Sequence, residues 1–337
     1  MTLEERLRAQ IAKEGPISFH DFMEAALYDP HEGYYARGPA IGPQGDFSTS
    51  VRFPAFRRAM ARLVAAARDA LPGPFRVVEL GAGTGELARA ILAEHPGLDY
   101  ATVDASPGLR AKQAAAGARP VASAEMLSPA PGLVFGNEVL DALPVRRVAG
   151  APDGGLLEVA VDVDARTGRF RERLVPLRDA EVEARLAREG VWPQRGQILD
   201  VAPGLEAFVR AAARLPDPGF LVFIDYGDPA PALYSPQRLN GTLAAYKAQG
   251  RFQEPLEEPG QRDLTADVDF TAVEHAAREA GMEPLGLATQ QEFLDALGIA
   301  DLGLPDEVRA VAGAAGLGSA FHVAAFRRGT RVLLPGF

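Results

Sequence analysis

The glycine-rich turn at residues 79–85, with the sequence ELGAGTG, constrains the fold more than any other feature of the chain. An apolar run typical of a buried strand precedes it, and an Ala- and Leu-rich stretch typical of a helix follows it. Glycines at such a turn let the backbone bend tightly and approach a ligand with no Cβ in the way. The N-terminus of the helix adds free N–H groups and a partial positive charge. The turn therefore predicts a Rossmann-like, doubly wound α/β fold with a ligand site at this point.

The spacing of the glycines and the acids near them narrow the choice of ligand. Gly81, Gly83 and Gly85 give the pattern G-x-G-x-G, which departs from the G-x-G-x-x-G form of dinucleotide turns. Glu79 stands just before the turn, where it can bind an ammonium group, which S-adenosylmethionine has and NAD lacks. Asp104 ends the next predicted strand, the expected place for a carboxylate that bridges ribose hydroxyls. Together these residues predict an S-adenosylmethionine site; a Rossmann-like turn without a ligand is the alternative.

Apolar runs and helical patterns alternate along most of the remaining chain. Residues 98–104, 119–122, 133–135 and 220–227 are predicted to be strands, with helices between several of them. This alternation indicates a mostly parallel sheet. By contrast, the alternating pattern within about 145–201 predicts an antiparallel insertion rather than another unit of strand and helix.

Polar side chains follow two of the apolar strands. Asn137, Glu138 and Asp141 come after the strand that includes Phe135, and Asp225 ends the strand at 220–227. In open α/β sheets, ligands bind outside the carboxyl ends of the strands, so we expect these four side chains to be catalytic residues that orient the nucleophile. Asp141 has an equally good alternative, because an acid there also favours the N-terminus of the next helix. For Asp225, a carboxylate after a long apolar run is costly to bury unless it is satisfied.

The composition excludes several classes of site. The chain has no cysteine, which excludes disulfides, thiol nucleophiles and cysteine-ligated metals. Its five histidines show no metal-ligand spacing, so no metal is expected. A net charge of −10 argues against nucleic-acid binding. No apolar run approaches the roughly 20 residues that cross a bilayer, and the acidic N-terminus lacks the pattern of a secretory signal. We therefore expect a cytoplasmic protein without a membrane span.

Seven short motifs, spread over nearly the whole chain, carry a family resemblance. They are GDFSTS at 45–50, ELGAGTG at 79–85, VDAS at 103–106, NE at 137–138 with DALP at 141–144, IDYG at 224–227, DLTA at 263–266 with VDF at 268–270, and TQ at 289–290 with EFL at 292–294. In these motifs and their order the chain resembles the MidA-like methyltransferases, the family of the mitochondrial complex I assembly factor that methylates an arginine of a complex I subunit. The combination is far more specific than any single turn.

The resemblance implies a class I methyltransferase fold with a seven-stranded, mostly parallel sheet. It implies a helical and loop segment at 1–52 that covers the site, and a methyltransferase domain at 53–337 with insertions at about 145–201 and 228–268. The implied cofactor is S-adenosyl-L-methionine, and the implied partner is a protein substrate, through an arginine of a respiratory complex I subunit or a similar protein. A homodimer of this chain is also among the predicted partners. The implied cofactor-binding residues beyond the glycine turn and its acids are Gly45, Asp46, Thr49, Ser50 and Ser106.

The chain departs from the family pattern in three places, and three other functions stay open. Ala82 and Thr84 stand where the family turn usually reads G-P-G-R-G, no histidine follows Tyr246, and Asp267 stands where histidine is common. These departures leave the cofactor prediction intact and bear on the acceptor. The alternatives are a methyltransferase for another acceptor, a non-catalytic assembly or binding protein that keeps the fold, and a nicotinamide dehydrogenase, which Glu79 and the glycine spacing disfavour.

Overall fold

The computed structural model describes residues 1–36, 49–247, 250–252 and 254–337. The helices, in chain order, are α1 (Leu3–Glu14), α2 (Phe19–Tyr28), α3 (Pro54–Asp69), α4 (Glu86–Glu94), α5 (Pro107–Ala115), α6 (Ala180–Arg188), α7 (Leu205–Ala213), α8 (Ala230–Leu233), α9 (Phe270–Glu279), α10 (Gln290–Ala296) and α11 (Pro305–Ala312). The strands are β1 (Arg76–Leu80), β2 (Asp99–Val103), β3 (Arg119–Val121), β4 (Ala130–Asn137), β5 (Arg146–Gly150), β6 (Leu156–Val163), β7 (Phe170–Pro176), β8 (Ile198–Val201), β9 (Pro216–Asp228), β10 (Ala244–Lys247), β11 (Gly250–Phe252), β12 (Asp263–Thr265), β13 (Val268–Asp269), β14 (Glu283–Thr289) and β15 (Phe321–Arg328).

The central sheet has the strand order β14–β15–β9–β4–β1–β2–β3, with the short β13 beside the end of β9. Strands β1, β2, β3, β4 and β9 are parallel to one another, and β15 runs antiparallel to both β9 and β14. The predicted mostly parallel α/β sheet is therefore confirmed. From β1 the chain passes to β2 on one side and later to β4 on the other, so the strand order reverses between β1 and β4. Ligands bind at such a reversal.

Strand β9 shows why the sheet is buried on both faces. Phe220, Val222 and Ile224 belong to a core with α3, α4 and α10, whereas Leu221 and Phe223 belong to a second core with α7 and α9. Successive side chains of a strand point to opposite faces, so a continuous apolar run feeds both cores at once. This is the pattern expected for a parallel strand covered by helices on both sides.

Two smaller sheets and the N-terminal helices complete the structure. The first small sheet is antiparallel, in the order β7–β6–β5–β8, and the second has the order β11–β10–β12. Helices α1 and α2 pack with both small sheets in a separate apolar cluster that includes Phe22, Val161 and Leu264. Ile17 and Val161 exchange two backbone hydrogen bonds of 3.0 and 2.8 Å, which join the N-terminal segment to β6. Among the described residues, no helix combines the length and apolar character needed to cross a membrane.

Candidate active site

The glycine-rich turn joins the end of β1 to the start of α4. Gly81, Gly83 and Gly85 have φ angles of 66°, 51° and 76°, in the left-handed region that glycine adopts at little cost. Two of them are also closely packed: a Cβ on Gly81 would lie 2.5 Å from the Val139 Cγ2 atom, and a Cβ on Gly85 would lie 2.9 Å from the Ala116 Cβ atom. A side chain at either position would therefore displace its neighbour.

A cavity of about 330 Å³, called the first cavity below, lies over this turn at the reversal between β1 and β4. Its walls come from the carboxyl ends of β1, β2 and β4 and from the N-terminal segment. The predicted site residues that line it are Thr49, Glu79, Gly81, Gly83, Asp104, Ser106, Asn137 and Glu138. Gly85 does not line it and is instead the N-cap of α4.

Two acids at the ends of β1 and β2 line the first cavity. The Glu79 carboxylate is buried and accepts a 2.7 Å hydrogen bond from the Tyr100 hydroxyl, and burial raises its pKa to about 7. Asp104 Oδ1 accepts a 2.9 Å hydrogen bond from the backbone N–H of Ser106, and burial raises the pKa of Asp104 as well. A cation bound beside a buried carboxylate favours its charged form, so these acids suit a ligand that carries positive charge.

Gln113, which sequence reasoning missed, ties the turn to Asp104. It is fully buried, and its Nε2 donates to the backbone oxygen of Gly83 at 3.0 Å and to Asp104 Oδ2 at 2.8 Å. Its Oε1 accepts a 2.7 Å hydrogen bond from the Thr102 hydroxyl. Two of these hydrogen bonds join the glycine turn to the acid through Gln113, and the third holds the Gln113 amide in place. The signal was a polar residue on the inner face of the predicted helix at 107–117.

Glu138 lies in the wall between the first cavity and a second one. Its backbone has a φ of 52°, a strained value for a residue with a side chain and one that often marks functional sites. Its Oε1 accepts hydrogen bonds from the Thr49 hydroxyl at 2.6 Å, the Asn137 amide at 2.8 Å and the backbone N–H of Ser50 at 3.0 Å. Burial raises its pKa to about 7 in spite of these donors.

Asn137 carries a polar atom without a partner. The residue is 8% exposed, and among the described residues none donates a hydrogen bond to its Oδ1 atom. A buried acceptor left unsatisfied costs about 1–3 kcal/mol, and a donor bound in the first cavity would remove this cost. An ammonium group is such a donor. With close-approach glycines, the buried Glu79 and the partly buried Asp104, the cavity therefore fits the predicted cofactor.

The second cavity has a volume of about 760 Å³ and adjoins the first through Glu138. Its lining is rich in carboxylates and aromatic rings. The carboxylates are Glu138, Asp141, Asp228, Asp263 and Asp267, and the rings are Tyr226, Tyr246, Phe321 and His322. Arg238 is the basic side chain in this lining, among the parts of the chain that the structure describes. A cavity of this composition favours a cationic ligand.

Asp141 and Asp225, both predicted to orient the nucleophile, lie in different places. Asp141 lines the second cavity, where its carboxylate accepts a hydrogen bond from the Tyr226 hydroxyl and burial raises its pKa to about 6. Asp225 lines neither cavity. Its Oδ2 accepts from the backbone N–H groups of Val139 and Leu140, at 3.1 and 2.9 Å, and of Asp141 at 3.4 Å.

The structure therefore corrects the role expected for Asp225. The carboxylate is fully buried, and its Oδ1 accepts from its neighbour Tyr226 N at 3.0 Å. Burial raises the pKa of Asp225 well above its usual range. The cost of burying an acid at this strand end is offset by backbone donors rather than by a substrate. Asp225 holds the loop after β4 and acts on the site only through that loop.

The predicted residues of the N-terminal segment divide into three groups. Thr49 lines the first cavity and bonds Glu138. Ser50 is fully buried outside the cavity wall, where it contacts Gln290 and supplies its backbone N–H to Glu138. Gly45 and Asp46 lie outside the described residues. Thr49 and Ser50 therefore meet the active site through one carboxylate.

Two tyrosines of the N-terminal segment also line the first cavity. Tyr28 and Tyr35 stack with ring centroids 5.4 Å apart. The Tyr28 hydroxyl donates to the backbone oxygen of Ala142 at 2.9 Å, and the Tyr35 hydroxyl donates to Asp263 Oδ1 at 3.1 Å. Ser106, which caps α5, donates its hydroxyl to the backbone oxygen of Tyr35 at 3.1 Å. The aromatic character of residues 28–35 was the available signal for these side chains.

Comparison with known proteins gives a family and a solved structure. The sequence profile of the family described as "Putative S-adenosyl-L-methionine-dependent methyltransferase" matches residues 59–288. A crystal structure of a Burkholderia thailandensis protein bound to S-adenosyl-homocysteine is 37% identical to this chain. The alignment covers 99% of this chain and 94% of that one, with a TM-score of 0.89. These two findings confirm the predicted fold and the predicted cofactor.

Curated relatives are similar over most of their length. A Drosophila melanogaster protein named protein arginine methyltransferase NDUFAF7 homolog, mitochondrial, is 29% identical over 83% of this chain and 71% of its own. The Homo sapiens protein arginine methyltransferase NDUFAF7, mitochondrial, is 25% identical over 87% of this chain and 72% of its own. The prediction of a cytoplasmic location is contradicted by these comparisons, because the named relatives are mitochondrial proteins.

Proposed function

Because the chain belongs to this family of S-adenosyl-L-methionine-dependent methyltransferases, we propose that it transfers the methyl group to an arginine side chain of a protein. The observation that carries the proposal is the acidic second cavity, which meets the cofactor cavity at Glu138. The relatives named as protein arginine methyltransferases support the same acceptor. A nicotinamide dehydrogenase is excluded by the family.

In the first cavity, we assign the chain's own groups to holding the cofactor. S-adenosyl-L-methionine supplies a methyl group on a positively charged sulfur. Glu79 and the open Oδ1 atom of Asn137 are acceptors for its ammonium group. Asp104, fixed by Gln113, is the acceptor for ribose hydroxyls. The glycine turn lets the backbone approach the ligand.

In the second cavity, the acids bind and orient the acceptor. A guanidinium is planar and cationic, and it forms strong, charge-assisted hydrogen bonds with carboxylates. Glu138 and Asp141 both line this cavity, and Glu138 also touches the first one. A guanidinium bound to Glu138 is therefore at the junction where the methyl group must be reached. Positioning of this kind is the main contribution that a methyltransferase can make to an in-line displacement.

Glu138 is also suited to take a proton. The three donors on its Oε1 leave Oε2 for the acceptor. The guanidinium must lose a proton during or after attack, and a base works best when its pKa is close to the working pH. Burial raises the pKa of Glu138 to about 7 without a bound cation, and a bound guanidinium would favour the ionised form, which is the form that accepts a proton. Glu138 thus binds the cation and accepts its proton.

The test compares arginine peptides with matched lysine and citrulline peptides. Purified protein and S-adenosyl-L-methionine are incubated with each, and methylated residues are identified by mass spectrometry. We expect methylarginine only. Glu138→Gln should lower turnover about 100-fold, with the cofactor Kd changed less than about threefold, because the neutral amide still reaches Thr49. Glu183→Gln, an exposed acid on α6, is the control and should behave as wild type. Equal losses in turnover and cofactor affinity would refute the role of Glu138.

For the acceptor protein, we propose a subunit of respiratory complex I or a similar protein, supported by the resemblance of the sequence motifs to the family of a complex I assembly factor. Mass spectrometry of arginine methylation in a strain that lacks the gene tests this proposal, since the modified site should disappear. The homodimer stays a prediction. Size-exclusion chromatography with light scattering tests it directly.

A further inference from the structure

Arg238 occupies part of the second cavity with its own guanidinium. Its Nη2 donates to Asp228 Oδ2 at 2.7 Å and its Nη1 donates to Asp267 Oδ2 at 3.1 Å. The side chains of Asp228 and Asp267 are 27% and 28% exposed, so this arrangement lies on the more accessible side of the cavity. We call Asp228 and Asp267 the outer acids. The protein therefore fills one of its own cation sites.

Two other carboxylates of the cavity are paired with neutral groups. Glu138 accepts from Thr49, Asn137 and the Ser50 backbone, and Asp141 accepts from the Tyr226 hydroxyl. We call Glu138 and Asp141 the inner acids, because Asp141 is buried and the partly buried Glu138 borders the first cavity. Among the described residues, no basic side chain forms an ion pair with either inner acid. Of the inner and outer acids, the inner pair is thus the one without a basic partner from the described residues.

The loop that carries Arg238 is held in place. The Arg238 backbone N–H donates to the Ser235 oxygen at 2.9 Å. Gln197, which is 1% exposed, donates its Nε2 to the backbone oxygens of Tyr234, Ser235 and Arg238 at 3.3, 3.0 and 3.3 Å. A guanidinium on an anchored loop loses less conformational freedom when it pairs with carboxylates than one on a mobile loop. Arg238 therefore belongs to a built arrangement of the cavity.

We propose that Arg238 is a specificity-determining residue that blocks the outer acids and thereby directs a cationic acceptor to the inner acids. The inference rests on the proposed function in one respect, the positive charge of the acceptor. Guanidinium groups from the protein and from a substrate bind the same carboxylate geometry, so Arg238 competes with the substrate at the outer acids and not at the inner ones. Only an acceptor at the inner acids reaches the junction with the first cavity, which would hold the methyl donor, because Glu138 alone among these acids borders that cavity. Binding at the outer acids would be unproductive.

Arg238→Gln tests the proposal through steady-state kinetics with an arginine peptide. Without the Arg238 guanidinium, the peptide can also bind unproductively at the outer acids. An additional unproductive binding mode lowers kcat and KM by the same factor and leaves kcat/KM unchanged. We expect both constants to fall about fivefold, since an exposed ion pair is worth up to about 1 kcal/mol. Arg238→Lys retains the charge and should stay within about twofold of wild type. If Arg238 only supports the structure of the site, Arg238→Gln should instead raise KM and lower kcat/KM. That result would overturn the proposal.

A binding measurement separates this inference from the proposed function. Fluorescence anisotropy of a labelled arginine peptide is measured with protein saturated with S-adenosyl-homocysteine. The Arg238→Gln protein should bind about fivefold more tightly than wild type, and adding Asp228→Asn and Asp267→Asn should reverse the gain. If wild type methylates no arginine peptide, the proposed function fails, and the tighter, reversible binding still supports the role of Arg238. The proposed role of Arg238 is refuted if folded Arg238→Gln protein keeps its affinity for S-adenosyl-homocysteine but binds the peptide no more tightly than wild type does.

Discussion

Replacing Glu79 by glutamine should remove the contribution of this one carboxyl group to the pH dependence of stability in the ligand-free protein. Burial raises the pKa of Glu79 from 4.5 to about 7, whereas the unfolded chain ionises this group near its usual value. Between these two values the folded state holds a proton that the unfolded state has released. The stabilisation is therefore complete below about pH 4.5 and is lost as the pH rises through about 7. One pKa unit corresponds to about 1.4 kcal/mol, so the contribution lost between pH 5.5 and pH 8 is about 2 kcal/mol.

The assay is urea unfolding of wild type and Glu79→Gln at pH 5.5 and pH 8 without ligand. The glutamine keeps an oxygen that accepts from the Tyr100 hydroxyl, so the buried contact survives. Glu138, whose pKa is also raised by burial, titrates in both proteins and cancels in the comparison. The free energy of unfolding of wild type should fall about 2 kcal/mol more than that of the variant over this pH interval. Glu183→Gln should follow wild type.

A parallel pH dependence of wild type and Glu79→Gln would refute this reasoning, since it would mean that Glu79 ionises in the folded protein as it does in the unfolded chain. Ligand binding supplies a second check. If Glu79 binds the ammonium group of S-adenosyl-L-methionine, the cofactor restores the ionised form of Glu79. The loss of cofactor affinity in Glu79→Gln should therefore be seen by calorimetry, and it should persist at pH 8.

Three further outcomes are expected from single substitutions. Gly81→Ala puts a methyl group 2.5 Å from Val139, so the thermal stabilisation by S-adenosyl-homocysteine should be lost; a retained shift in Tm contradicts the geometry of the turn. Asp225→Ala removes the acceptor of three backbone N–H groups in the loop after β4, so the free energy of unfolding in urea should fall by about 2–4 kcal/mol. A change below about 1 kcal/mol would show that the loop is stable without this carboxylate. Gln113→Leu cuts the links to Gly83 and Asp104 and should raise the calorimetric Kd of S-adenosyl-homocysteine about tenfold; an unchanged Kd counts against its role.

The sheet and the first cavity were largely predictable, because their signals are local. A strand that feeds two cores must be apolar at every position, as in 220–224, and the glycine turn identifies the end of β1. These patterns need only neighbouring residues. The carboxyl edge then follows from the parallel order of the strands.

The sequence does not show which groups a polar side chain contacts in the folded protein. Asp225 and Asp141 both follow apolar strands, yet one accepts from the backbone of a loop and the other lines a cavity. The difference depends on which loop packs above β9, a contact between distant parts of the chain. The roles of Gln113 and Tyr35 were not predicted for the same reason, because their hydrogen-bond partners Asp104 and Asp263 come from other elements. The short strands of the second small sheet, such as β11, have too few residues to show a period.

The single carboxylate shared by the two cavities has a thermodynamic consequence. A ligand that binds in one cavity and changes the charge of Glu138 also changes the affinity of the other cavity for its ligand, because Glu138 borders both cavities. Linkage requires this influence to be mutual: if the methyl donor strengthens acceptor binding by some factor, the acceptor strengthens donor binding by that factor. Two titrations, each repeated in the presence of the other ligand, therefore measure one and the same coupling energy.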